Sequence, residues 1–213
     1  MKIAVFGAGA WGTALAVSFG SNQHRVTLWG RDADLMRAID GERCNQRYLP
    51  GVALPPALEV TSSLPNARND ADLLLVATST SGLADCLIQV QSQGVPVVWV
   101  CKGFDKATGK LPHETVAACL PAAARYGALS GPSFAQEVAR GLPCALTLAA
   151  NDFAFAQTLA TQLNGPALRI YSSDDLIGVE LGGALKNVMA IAAGICDGMQ
   201  LGMNARAALI TRG

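Results

Sequence analysis

The stretch FGAGAWGTALA, residues 6–16, decides how the rest of the chain is read. An apolar run, KIAVF (2–6), leads into it, a helix-forming segment, TALAVSFG (13–20), follows, and a second apolar run, RVTLW (25–29), comes next. Gly-x-Gly-x-x-Gly between a strand and a helix, inside a βαβ unit, is the pattern of a dinucleotide-binding loop. Gly7 then allows the tight turn, Gly9 lets the backbone approach a pyrophosphate, and Gly12 lets helix and strand pack closely. The helix N-terminus offers unpaired N–H groups and the positive end of its dipole to the anion. The bare pattern also suits a structural turn in another α/β protein, so the strand–loop–helix–strand order is what favours a nucleotide.

The same alternation continues along the chain. DLLLVAT (72–78), PVVWVC (96–101), YGALS (126–130), CALTLA (144–149) and LRIYS (168–172) read as strands, most of them continuously apolar and therefore buried on both faces. Helical patterns fall at 10–20, 32–40, 80–92, 112–124, 133–140 and 151–163. These features predict an α/β chain: a Rossmann-type doubly wound, mainly parallel sheet over 1–172, followed over 173–213 by the beginning of an all-α domain. Ser172, Ser173, Asp174 and Asp175 suit the start of that helical part, and the chain is expected to stop within it. Residues 41–70, with prolines at 50, 55, 56 and 65, form the one long irregular region, and a loop of that size tends to be functional.

Composition narrows the function classes. Of 213 residues 51% are hydrophobic and 15% charged, and sixteen basic side chains balance sixteen acidic ones without clustering, which disfavours a nucleic-acid partner. Six scattered cysteines without a C-x-x-C pair read as reduced thiols of a cytoplasmic protein, and two histidines leave few ligands for a metal, so none is expected. The N-terminal run resembles a signal peptide only superficially, because glycines and a tryptophan interrupt it and no small-residue cleavage site follows. No apolar stretch is expected to reach membrane-spanning length, so stable membrane insertion is not expected.

Several residues stand out against this frame. After the second strand, WGRDAD places Arg31 where it can meet a 2′-phosphate, favouring NADP(H), with NAD(H) still possible; Asp32 suits a ribose hydroxyl or the cap of the next helix. Lys102 directly follows PVVWVC, at the carboxyl end of a strand where open α/β sheets bind ligands, although KGFDKATGK also reads as an ordinary lysine-rich loop. Lys186 is the sole charge in LGGALKNVMAIAAGIC; desolvated near another cation it would suit a general acid or base, and otherwise it snorkels. In SGPSFAQEVARG (130–141), Ser133 and Gln136 have capping-box spacing, while the exposed N–H groups and hydroxyl of that junction can also hold a polar substrate.

Together GAGAWGTALA (7–16), WGRD (29–32), NQRYLPG (45–51), CKGF (101–104), LSGPSFAQEVARGLP (129–143) and ELGGALKNVMAIAAGICDGMQLGMNARAALITRG (180–213) resemble the bacterial NAD(P)-dependent glycerol-3-phosphate dehydrogenase family. The resemblance implies reduction of dihydroxyacetone phosphate, a small phosphorylated triose, to sn-glycerol 3-phosphate for phospholipid synthesis. It implies that Ala10, Trp11, Arg31, Asp32, Tyr48, Lys102 and Ala135 line the cofactor. It further implies that Lys102, Gly131, Ser133 and Lys186 meet the substrate, with Lys186 as proton donor and acceptor. Members of the family run on past residue 213 with further substrate-binding groups, so weak cofactor binding and poor or no turnover are expected of these 213 residues alone. A dehydrogenase for another hydroxy acid and a stand-alone NAD(P)-binding module are the rival readings, and a homodimer is the expected assembly.

Overall fold

The computed structural model describes residues 1–212. Eight strands alternate with helices: β1 Lys2–Phe6, β2 Arg25–Trp29, β3 Glu59–Thr61, β4 Leu73–Val76, β5 Val97–Trp99, β6 Tyr126–Ser130, β7 Cys144–Ala150 and β8 Leu168–Ser173. They form one sheet in the order β3-β2-β1-β4-β5-β6-β7-β8, parallel throughout except where β7 runs antiparallel to β6. The change of direction after β1 lies between β1 and β4, with β2 on one side and β4 on the other, and the crevice of an open α/β sheet opens there.

Because side chains alternate across a strand, the two faces carry two cores. Ile3, Val5, Leu28, Leu73, Leu75 and Val98 pack beneath α1 (Ala10–Ser21) and α7 (Phe153–Leu163). Ala4, Phe6, Leu74, Val76, Val97 and Trp99 pack on the other face against α4 (Leu83–Val90) and Val116 of α5 (Pro112–Cys119). Strands buried on both sides need no polar alternation, which is why the apolar runs located seven of them.

The eighth, β3, was not expected. It is three residues long, lies in the proline-rich region and is defined by pairing with β2, not by its own composition. The rest of 41–70 is also ordered: α2 (Ala33–Glu42) ends at Arg43, whose guanidinium donates to the carbonyls of Pro55 and Leu58, and α3 spans Leu64–Arg68.

Beyond β8 the chain is helical, with α8 at Leu176–Gly198, capped by Asp175, and α9 at Met203–Arg212. Here one expectation is corrected. No apolar stretch was expected to reach membrane-spanning length, yet α8 is a continuous helix of 23 residues that includes an 18-residue window of mean hydropathy 1.4, long and apolar enough to cross a membrane. One side packs on β6, β7 and α5, while Leu185, Val188, Ile191 and Ile195 are exposed. Among the described residues all six cysteines are free thiols, and no cluster of three metal-ligating side chains occurs.

Candidate active site

The glycine loop is built as its spacing requires. Gly7 has φ +125°, and a Cβ there would lie 2.5 Å from the carbonyl oxygen of Ala77 at the end of β4. A methyl at Gly12 would overlap the carbonyl oxygen of Gly7, so α1 can sit this close to β1 only without a side chain. A Cβ at Gly9 would meet nothing within 4 Å. Gly9 caps α1 without any side-chain hydrogen bond, so the first-turn amides border open space. That space belongs to a cleft of about 590 Å³ at the carboxyl ends of β1, β2 and β4, whose walls include Gly7, Gly9, Arg31, Asp32, Tyr48 and Thr78. A cradle at a helix N-terminus that no side chain enters fits a dinucleotide's pyrophosphate.

At the outer end of this cleft Asp32 caps α2, accepting from the amides of Asp34 and Leu35 at 3.1 Å each. Its second oxygen lies 3.6 Å from Arg47, whose guanidinium stands 5.1 Å over the Tyr48 ring. Both arginines thus flank Asp32, Arg31 from the end of β2 and Arg47 from the following loop. Asn45 places that loop: fully buried, it donates to the carbonyl of Ala8 at 2.9 Å and to the Thr13 hydroxyl at 2.8 Å, and accepts from the Tyr48 amide. Sequence reading missed Asn45 and Arg47, since a polar residue in a polar loop gives no sign that it will be buried or turned toward a cleft.

A second hollow, of about 310 Å³, adjoins the first through Ala77 and Thr78 and is walled by Trp11, Val100, Lys102, Ser133 and Lys186. The structure therefore brings Lys102, Ser133 and Lys186 together from three elements. Lys102 Nζ donates to the Gly131 carbonyl at 2.7 Å and to the Ser133 hydroxyl at 3.0 Å. Half-burial lowers its pKa to about 8, helped by the charge of Lys186 and opposed by the Cys144 thiol. Lys186 itself is exposed, so the desolvation expected of it falls on Lys102 instead. The Trp11 indole N–H is buried in the wall and has no hydrogen-bond partner among the described residues. Gly131 borders a third hollow, of about 270 Å³, which Lys186 and Gly182 also line.

Two further differences concern Ser133 and three residues expected at the cofactor site. The capping box expected at Ser133 does not form: α6 spans Ala135–Ala139 with Phe134 at its N-cap, and the Ser133 hydroxyl turns back to the Gly131 carbonyl and Lys102. Ala10, Gly12 and Ala135 line neither the cofactor-sized cleft nor the lysine hollow; Ala10 opens α1, and Ala135 opens α6 against the core.

Glu180 was also missed. Among the described residues it is the one buried charged side chain, accepting from Trp99 Nε1 and the His113 amide at 2.9 Å each and lying 2.5 Å from His113 Nδ1. Burial raises its carboxyl above the ordinary value, and the His113 contact opposes the rise. Its partners are 81 and 67 residues away in sequence, beyond the reach of any local pattern.

Strand order, glycine loop and adjoining hollows define a Rossmann-type, dinucleotide-binding α/β protein. Residues 2–156 match the family described as NAD-dependent glycerol-3-phosphate dehydrogenase N-terminus, and residues 175–213 match its C-terminus. The chain belongs to the NAD-dependent glycerol-3-phosphate dehydrogenase family. It is 57% identical over its whole length to glycerol-3-phosphate dehydrogenase [NAD(P)+] of Thiobacillus denitrificans and 55% identical to that of Aromatoleum aromaticum, covering 65% of each. A crystal structure of glycerol-3-phosphate dehydrogenase from Coxiella burnetii superimposes with a TM-score of 0.84 at 38% identity, over 99% of this chain and 65% of that one. The chain thus spans about two thirds of the length of these relatives.

Proposed function

We propose that this chain provides the cofactor site and the lysine pair of an oxidoreductase that interconverts dihydroxyacetone phosphate and sn-glycerol 3-phosphate with NAD(P)H, in the cytoplasm and without membrane insertion. The observation that carries the reading is the convergence of Lys102, Ser133 and Lys186 on one hollow beside the glycine loop, in a chain 57% identical to a protein of that name. The unit 1–172 holds the cofactor, and the helical unit from 173 brings Lys186 to it.

When bound, the nicotinamide supplies or takes up the hydride. The chain does the rest. Gly9 and the first turn of α1 receive the pyrophosphate, and Tyr48 walls the same cleft. Ser133 and the Gly131 backbone orient the substrate, while Lys102 holds a positive charge against its oxygens. In reduction Lys186, as ammonium, faces the carbonyl oxygen where negative charge develops and gives it a proton; in oxidation the neutral amine removes the hydroxyl proton. Arg31 and Arg47 favour the 2′-phosphate of NADP(H) over NAD(H).

Fluorescence titration of this chain with NADPH, and absorbance assays with dihydroxyacetone phosphate on the chain extended to the length of its relatives, test the reading. Cofactor binding, with substrate-dependent oxidation that disappears in Lys186→Ala, supports it. Binding accompanied by turnover only of another hydroxy acid transfers the site to that substrate class. Absence of cofactor binding overturns the reading altogether.

A further inference from the structure

Glu180, Gly183 and Lys186 follow one another at three-residue steps along α8, so a single ridge of the helix runs from a buried carboxylate to the exposed lysine in about 9 Å. Each point on that ridge meets a different part of the sheet edge. Glu180 binds Trp99 at the end of β5 and His113 at the start of α5. At Gly183 the helix comes so close that an added Cβ would lie 2.6 Å from the Ser130 hydroxyl and 3.5 Å from Cγ of Lys102. Lys186 then lines the same hollow as Lys102.

The two lysine-bearing segments are therefore tied at their roots. Lys102 lies three residues beyond Trp99, Lys186 lies six beyond Glu180, and the Trp99–Glu180 hydrogen bond joins the two segments. Trp99 is fully buried, so its indole N–H has no recourse to water and must find this acceptor. A carboxylate with 3% of its side chain exposed, holding two N–H donors and the His113 ring from two elements, is a demanding arrangement to retain on a helix that is otherwise largely uncovered.

We propose that Glu180 is the positioning residue of this site, its clasp on Trp99 and His113 fixing α8 so that Lys186 stands beside Lys102. The catalytic consequence rests on the dehydrogenase reading above; the spatial relationship does not. Glu180 touches neither hollow and acts only through the ridge that it anchors. The charged and titratable groups around Lys102 are Lys186 on α8 and Cys144 on β7, so displacement of α8 removes a cation and some burial together and makes Lys102 a stronger base.

Competitive acylation with acetic anhydride, read at Lys102 by mass spectrometry between about pH 6 and 11, measures this without cofactor or substrate. The wild-type midpoint is expected near 8, and Lys186→Gln is expected to raise it. Glu180→Leu keeps the volume but removes the acceptor, and its midpoint should rise toward 10.5. A rise of one pH unit lowers labelling at pH 8 roughly fivefold. Glu180→Gln retains an oxygen for Trp99 and the His113 amide and should restore the low midpoint, which a requirement for buried charge alone would not predict. Trp99→Phe removes one donor and provides a second test should the leucine variant fail to fold; a smaller rise is expected. Wild-type midpoints in both Glu180→Leu and Trp99→Phe overturn the proposal, as does an unchanged midpoint in Lys186→Gln. Failure of NADPH to bind the wild-type chain would sink the dehydrogenase reading while leaving these results intact.

Discussion

Lys102 Nζ lies 3.0 Å from the Ser133 hydroxyl, and with the Gly131 carbonyl at 2.7 Å this half-buried cation is held by neutral partners. Among the described residues it has no carboxylate in ion-pair contact. A cation in this setting retains charge for a ligand at the expense of stability.

The first prediction follows from that cost. The unfolded chain holds the Lys102 proton up to 10.5 and the folded chain only to about 8, so below 8 the penalty is fully present and between 8 and 10.5 folding gains as pH rises. Lys102→Met should stabilise the chain at pH 7 by about 1 kcal/mol, or roughly 3 °C in melting temperature, because the partly solvated ammonium costs much less than its full shift implies. The advantage should shrink toward pH 10, where wild type has shed the proton. Thermal unfolding at both pH values checks this, and a variant less stable than wild type at pH 7 would show that the two hydrogen bonds outweigh the burial.

The glycine loop separates stability from binding. Gly12→Ala drives a methyl into the Gly7 carbonyl and should destabilise by about 3 kcal/mol or prevent folding. Gly9→Ala meets nothing within 4 Å, so the chain should stay within about 1 kcal/mol of wild type while NADPH affinity falls tenfold or more, because the space it fills is the ligand's. Equal loss of stability in both variants would count against a ligand role for Gly9.

Arg47 supplies the third prediction. Its guanidinium faces Asp32 at 3.6 Å, so Arg47→Gln removes a cation and also leaves that carboxylate free to repel a 2′-phosphate. NADPH affinity should fall about tenfold, or ~1.4 kcal/mol, with NADH changed less than about twofold, and added salt should narrow the difference. Titration of both cofactors decides it; equal losses would assign Arg47 to the shared part of the two molecules.

How much of this was legible in the sequence depends on the range of the interaction. KIAVF, RVTLW and DLLLVAT announce themselves because a strand buried on both faces must be apolar, and the glycine loop does so because steric limits at Gly7 and Gly12 admit one residue type. β3 escaped notice because three residues carry no period, and its existence depends on the neighbouring β2. Lys102 and Lys186 were singled out by charge in apolar surroundings, yet which of the two is desolvated depends on how α8 meets the sheet. Asn45 and Glu180 act through partners more than thirty residues away and Arg47 through Asp32 across the whole of α2, and no local pattern encodes such a pairing.

The two adjacent glycines of α8 allow a last test of that helix–sheet contact. Alanine in a helix interior is favoured over glycine by about 0.5–1 kcal/mol. At Gly182 an added Cβ meets nothing within 4 Å, so Gly182→Ala should realise that gain. At Gly183 the same methyl lies 2.6 Å from the Ser130 hydroxyl, so Gly183→Ala should forfeit the gain or reverse it as α8 lifts from β6. Removing the obstacle with Ser130→Ala should restore it, giving a coupling of about 1 kcal/mol in a double-mutant cycle measured by urea unfolding. Additive effects would mean that the Ser130 hydroxyl rotates aside freely, and Gly183 would then owe its place to something other than the close approach of α8 to the lysine hollow.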